Sequence, residues 1–142
     1  MSQDRSIGYG IALLRVSLGA MFIAHSVVLK YFTYTLAGTA QFFESIGLPG
    51  ALAYVVFWME AIGGVALVLG VQTRLVAAAL VPVLVGATWA HAGNGWVFSG
   101  ANGGWEYPVY LTVLAIAQVL LGEGAFALSR ARSMPVARPL AA

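Results

Sequence analysis

Apolar residues gather into four blocks, residues 7–29, 51–71, 75–92 and 107–121, separated by short polar or glycine-rich stretches. About 20 predominantly apolar residues carry a helix across the hydrocarbon core of a bilayer, so the first three blocks read as spans. The fourth has only ~15 residues. It either begins at Trp105 or crosses where the bilayer is thin. Pro108 falls in its first turn, where a missing N–H costs nothing. Pro82 lies inside the third block, where neighbouring helices satisfy the freed carbonyl and a kink is expected. The pattern predicts an all-α chain, an integral-membrane antiparallel four-helix bundle.

The polar stretches orient that bundle. Arg5, Arg74, Arg130, Arg132 and Arg138 fall on one side of four spans, and only Lys30 opposes them. The positive-inside rule then places both termini in the cytoplasm, with two longer loops outside. Residues 1–6 lead straight into the first block, which is longer than a signal-peptide apolar region and lacks a small-x-small cleavage site, so it is read as an uncleaved span. In the first outer loop, residues 40–46 (AQFFESI) predict a short interfacial helix. The second, residues 93–105, is rich in glycine and carries Trp96, Val97 and Phe98. It reads as a flap at headgroup level, with Trp89, Trp96, Trp105 and Tyr107 forming an aromatic belt. Ala78, Pro82, Gly86 and Ala90 make a small-residue stripe on the third span, and Gly63 and Gly64 do similar work on the second, as expected for close helix packing in lipid. Residues 1–124 form one domain. Residues 125–142 form a basic, proline-containing tail, expected to be flexible and cytoplasmic.

Composition sharpens this picture. Hydrophobic residues make up 61% of the 142 and charged ones 8%, against about 25% charged in soluble domains. A net charge of +2, scattered along the chain, excludes a nucleic-acid groove. Cysteine is absent from the sequence, so thiol–disulfide chemistry, thiolate zinc and iron–sulfur ligation on this chain's own residues are excluded.

The remaining ionisable residues are the candidates for chemistry. Glu60 interrupts the second apolar block, and Arg15 and His25 interrupt the first. Charges at membrane depth cost ~2.5–3.5 kcal/mol each on insertion scales, so they face a protein interior and find partners. With ~1.5 Å rise per residue, Arg15 and Glu60 come within reach of one another, and Gln118 falls at a similar depth. The expectation is a central Arg15–Glu60 pair, read either as a structural lock between helices or as a proton relay through Glu60.

A second polar layer is expected nearer the outside. There His25 and His91 lie at similar height, and Glu106 and Tyr107 open the fourth span beneath the flap. Three readings compete. Each histidine simply bonds a carbonyl or loop group; or the four residues hold a quinone headgroup; or the two histidines ligate a metal or haem, the weakest of the three because no spacing motif supports it. No metal site is assigned. No nucleophile elbow, P-loop, zinc-protease or dinucleotide fingerprint stands in context, so no flavin or nicotinamide is expected on this chain.

Several pieces in order carry a resemblance: Arg15 on the first helix, the segment from His25 to Phe32 (HSVVLKYF), and that from Phe42 to Pro49 (FFESIGLP). Glu60 with Gly63 and Gly64, the Gly70–Arg74 turn (GVQTR), His91, and the segment from Gly104 to Pro108 (GWEYP) complete it. Over roughly residues 11–124 the chain resembles the DoxX family of small four-helix bacterial membrane proteins. The resemblance implies a bacterial inner-membrane location and a role as a membrane subunit of a quinone-linked oxidoreductase, as in thiosulfate:quinone oxidoreductase. Partners would be the lipid bilayer and either other subunits of a complex or further copies of the chain. A different class of role, a non-catalytic accessory or assembly subunit, is consistent with the same residues.

Overall fold

The structure, a computed structural model, describes residues 2–129. Helix α1 (Gln3–Ile23) passes without a break into a π-helix (Ala24–Thr33). A short α2 (Leu36–Ser45) follows, then α3 (Ala51–Leu69), α4 (Thr73–His91) ending in a 3₁₀ turn (Ala92–Asn94), and α5 (Glu106–Leu121). Among the described residues there are no strands. The first helix with its π-helical extension has 31 residues, α3 has 19, and α4 with its 3₁₀ turn has 22. All three are long and apolar enough to cross a membrane. At 16 residues α5 is apolar but shorter.

Helix ends follow local chemistry. Thr35 accepts from the Gly38 N–H at 3.1 Å and caps α2. Gly70, at φ 70°, ends α3 in the left-handed conformation that lacks a Cβ penalty only for glycine. Pro108 sits in the first turn of α5, and α4 continues unbroken through Pro82.

The bundle buries polar side chains beside its apolar core and turns large apolar side chains outward. Buried side chains include Arg15, Ser26, Thr39, Glu60, Thr73 and Gln118, whereas Leu13, Ile62, Leu75 and Leu120 are each about two-thirds exposed. That arrangement is what a lipid solvent selects, since backbone and side-chain polar groups must be satisfied internally. The apolar core (Leu18, Phe22, Leu67, Leu80, Leu84, Leu111) fills the space between the two polar regions.

The register of α1 on α3 is fixed by a glycine pair. A Cβ on Gly19 would lie 2.6 Å from the Gly64 carbonyl oxygen, and one on Gly64 would lie 2.8 Å from the Gly19 oxygen. The two backbones therefore touch, as small residues allow in lipid. Gly63 makes the corresponding approach to Leu80 of α4 at 3.0 Å.

The stripe on α4 behaves otherwise. Ala78, Pro82 and Gly86 are exposed, and nothing lies within 4 Å of a Cβ built on Gly86. The buried face of α4 is Thr73, Ala77, Leu80 and Leu84.

The chain after α5 is not the free tail expected, as far as residue 129. Ala125 donates to the Gly8 carbonyl at 2.9 Å, Ser129 donates to the Gly70 carbonyl at 3.1 Å, and Ala127 is buried. Phe126 stacks on Tyr9 with ring centroids 5.5 Å apart. Ser129 thereby satisfies the Gly70 carbonyl that α3 leaves open at its end, while Ala125 adds a bond to a carbonyl within α1. The rest of the expected basic tail, with Arg130, Arg132 and Arg138, lies outside the described residues.

Candidate functional site

Glu60 lies in the middle of α3 and is buried. Its partner is Lys30: Nζ donates to Oε2 at 2.6 Å, with the two side chains 17% and 7% exposed. Lys30 reaches Glu60 because of the π-helix. In an α-helix a residue five positions after His25 is rotated by about 140° from it. With i→i+5 bonds the turn takes in one more residue, and Lys30 returns to nearly the same side as His25. Side chains brace the unusual geometry. Ser26 Oγ donates to the Phe22 and Ile23 carbonyls at 2.8 and 3.2 Å, and Thr33 Oγ1 donates to Val28 O, five residues back, at 2.9 Å.

His25 lies within electrostatic reach of Glu60. Its Nδ1–H donates to Met21 O at 3.0 Å, which assigns the proton to Nδ1 in the neutral ring and leaves Nε2 as the acceptor nitrogen. The ring stacks on Tyr107 of α5 at 5.8 Å between centroids, and the Tyr107 hydroxyl donates to the Met21 sulfur. Phe98 from the glycine-rich loop covers Tyr107 at 6.0 Å. Glu60, Lys30, His25 and Tyr107 thus form one polar layer, drawn from three elements and roofed by an aromatic ring.

The other two residues of the expected outer pocket serve the loop. Glu106 Oε1 accepts from the Phe98 N–H at 3.0 Å, holding that aromatic in place. His91 Nδ1–H donates to Ala87 O at 2.8 Å, and its ring lies against Gly103, where a Cβ would meet Cδ2 at 3.2 Å. Trp96 and Trp105 meet edge to face at 4.6 Å, and Trp105 and Glu106 donate to the Gly95 and Trp96 carbonyls.

The expected Arg15–Glu60 pair is replaced by two separate arrangements. Arg15 faces the last turn of α3 and the strap. Its Nη1 donates to Leu67 O and Val68 O at 2.9 and 3.1 Å, and its Nη2 to Ala125 O at 3.0 Å. It acts as a cationic cap for carbonyls that α3 leaves open, at the end where the helix dipole favours positive charge. The physical reason is register. The Gly19–Gly64 contact sets Arg15 one turn below, beside Leu67 and Val68, and raises Glu60 to the level of His25. Gln118 belongs to the Arg15 end; its Nε2 donates to Gly122 O. The Arg15 Nε, Thr73 Oγ1 and Gln118 Oε1 atoms there are buried without a hydrogen-bond partner among the described residues.

A family model described as DoxX matches residues 10–93. The chain belongs to the DoxX family. The matched DoxX region holds Arg15, His25, Lys30, Glu60 and His91, and stops short of Glu106 and Tyr107. The chain is 43% identical over 84 residues to "Putative oxidoreductase CatD" of Bacillus subtilis (strain 168). That alignment covers 59% of this chain and 60% of the relative, so the DoxX chain spans about 60% of the length of the curated relative it matches. No solved structure matches it. The family match and the apolar helices together make it a DoxX membrane protein.

Lys30 is the residue that sequence reasoning misplaced, counting it as a loop charge. The available signal was its position five residues after His25 together with the serine and threonines that flank it, which bond back to carbonyls.

Proposed function

We propose that this DoxX chain is a small membrane subunit of a redox complex that takes a quinone headgroup at the Glu60–Lys30–His25–Tyr107 layer. The observation that carries this reading is the Lys30–Glu60 ion pair beside the stacked His25 and Tyr107 rings. Reducing a quinone to the quinol takes two electrons and two protons, one proton for each carbonyl oxygen. The electrons come from a partner subunit. The Lys30 ammonium can donate a hydrogen bond to one carbonyl oxygen, the His25 Nε2 can donate to the other when the ring carries a second proton, Nδ1–H staying on Met21 O, and Glu60 can pass protons to the groups that surround it. The Tyr107 and Phe98 rings offer flat apolar faces for a headgroup. His91 and Glu106, offered as headgroup ligands by sequence, act in this reading as the ties of the covering loop. Arg15 is structural.

The same proposal places four spans in a bacterial inner membrane, α5 being the short fourth, with both termini cytoplasmic. Arg5 and Arg74 lie at the same end of the bundle, the end where α1 starts and α3 turns into α4. Lys30, which opposed the charge rule, is neutralised by Glu60 and no longer counts as a free loop charge.

The test is mass spectrometry of protein extracted gently from its own membrane. The expected result is quinone at near-stoichiometric amount, falling at least tenfold in folded Glu60→Gln and His25→Ala proteins. Quinone-free wild-type protein that carries other subunits with it would overturn this reading in favour of an accessory role.

A further inference from the structure

The π-helix from Ala24 to Thr33 has ten residues, whereas π geometry usually survives only as a single turn within an α-helix and recurs at functional sites. It begins where α1 has made its last close contact with α3 and ends where the chain leaves the bundle. Its side-chain braces, Ser26 and Thr33, bond only to carbonyls of the same helix. The long-range tie that depends on charge is Lys30 on Glu60. The backbone carbonyl of Lys30 also accepts from Thr39 Oγ1 of α2 at 3.5 Å, and Tyr31 packs on Phe57 of α3 at 6.2 Å.

We propose that this segment is a charge-operated switch: ionised Glu60 holds it π-helical through Lys30, and neutral Glu60 releases it to α-helical winding. Release turns Lys30 out of the site. Between His25 and an α-helical Lys30 the rotation is about 140°, and on a helix ~10–12 Å across this moves the side chain by ~7 Å or more. The rotation passes to α2 through Thr39. A proton arriving at Glu60 is thereby converted into movement of the loop that follows the first span. The switch goes beyond the quinone reading and stands without it, because any source of protons would operate it.

Among the described residues, Lys30 of the switch segment is bonded to Glu60, and His25 of the same segment lies within electrostatic reach of it. Tyr107 of α5 stacks on His25, His91 of α4 is bonded to Ala87, and Glu44 of α2 lies over Gly50 at the start of α3.

The cysteine-free sequence allows the movement to be read directly. Spin labels are placed on Phe32→Cys and Trp89→Cys, both exposed on different helices, and the full chain is measured in lipid nanodiscs by double electron–electron resonance. Two further changes are made on that background: Glu60→Gln, and the uncharged pair Lys30→Met with Glu60→Gln. The expected result is a shift of ~5 Å or more in the main label distance in both. If Glu60→Gln alone fails to fold, the uncharged pair decides, since it buries no unpaired charge. A wild-type distance distribution in the uncharged pair overturns the switch, because the π geometry would then be intrinsic to the backbone.

Discussion

Removing Lys30 should damage the protein far more than removing Lys30 and Glu60 together. The two side chains are 17% and 7% exposed and 2.6 Å apart, so the carboxylate is buried and the ammonium largely shielded, closer to a buried pair than to a surface one. Stripping one partner from such a pair costs ~3–5 kcal/mol, because a charge is left without compensation. An exposed pair would cost only ~0–1 kcal/mol. Lys30→Met should therefore lower stability by ~3–5 kcal/mol. Glu60→Met should cost less, toward the lower end of that range, since the four-carbon stem can carry the freed ammonium toward the water interface. The double change Lys30→Met with Glu60→Met should stay within ~1–1.5 kcal/mol of wild type, as uncharged replacements of buried pairs often do. The cycle then yields a coupling of ~4.5 kcal/mol or more. Steric trapping of the unfolded state in bicelles gives the four stabilities. Additive costs, or a Lys30→Met penalty below ~1 kcal/mol, would refute the view of this pair as the buried centre of the site.

Exchanging the charges of Arg15 and Glu60 should not restore stability, because Arg15 bonds to Leu67, Val68 and Ala125 carbonyls; thermal unfolding in detergent measures it, and wild-type behaviour of the exchange would mean the two side chains pair. Three glycine-to-alanine changes should separate by site: Gly64→Ala costs ~1–3 kcal/mol by prising α1 from α3, and Gly63→Ala costs less because Leu80 can adjust. Gly86→Ala is neutral or stabilises by up to ~1 kcal/mol, and the rank order in the same unfolding assay is the check. Tyr107→Phe removes the hydroxyl bonded to the Met21 sulfur while keeping the ring on His25, so stability should change by under ~1.5 kcal/mol and quinone content little. Tyr107→Ala removes the stack, and quinone content should then fall several-fold.

Much of the fold was legible because lipid allows few solutions. Apolar blocks of span length with so few charges read as helices, so α1, α3 and α4 appear close to where they were expected, and Glu60 stands out as a charge needing a partner. What sequence could not supply was the register between helices. Estimated heights put Arg15 opposite Glu60; the Gly19–Gly64 contact instead sets Arg15 beside Leu67 and Val68. An error of two turns is invisible in hydropathy and decisive for which charges meet. Nor does sequence announce a π-helix, and without it Lys30 points away from His25 and reads as a loop cation. The small-residue stripe on α4 does not pack within the chain, for a related reason. Spacing alone says that Ala78, Pro82 and Gly86 share a face, but the buried side was chosen by Thr73, Leu80 and Leu84 packing on α3 and α5.

The two polar regions of this DoxX chain differ in the kind of partner they hold, and that difference bears on which can act. Arg15 spends its donors on backbone carbonyls, which cannot take up or release a proton, and its surroundings are helix ends that exist to be capped. The layer around Glu60 is built from side chains on three separate elements, Lys30 and His25 on the π-helix, Glu60 on α3 and Tyr107 on α5. Every one of those groups can change its protonation or its hydrogen-bond role without leaving a helix end uncapped. A bundle that needed only cohesion could have used apolar packing there, since well-packed hydrophobic replacements of buried ion pairs are commonly no less stable. An ammonium, a carboxylate, an imidazole and a phenol held at one level of the membrane, under a loop pinned by Glu106, therefore favour the proposed chemistry at that level, whereas Arg15 caps helix ends in the register that the Gly19–Gly64 contact sets.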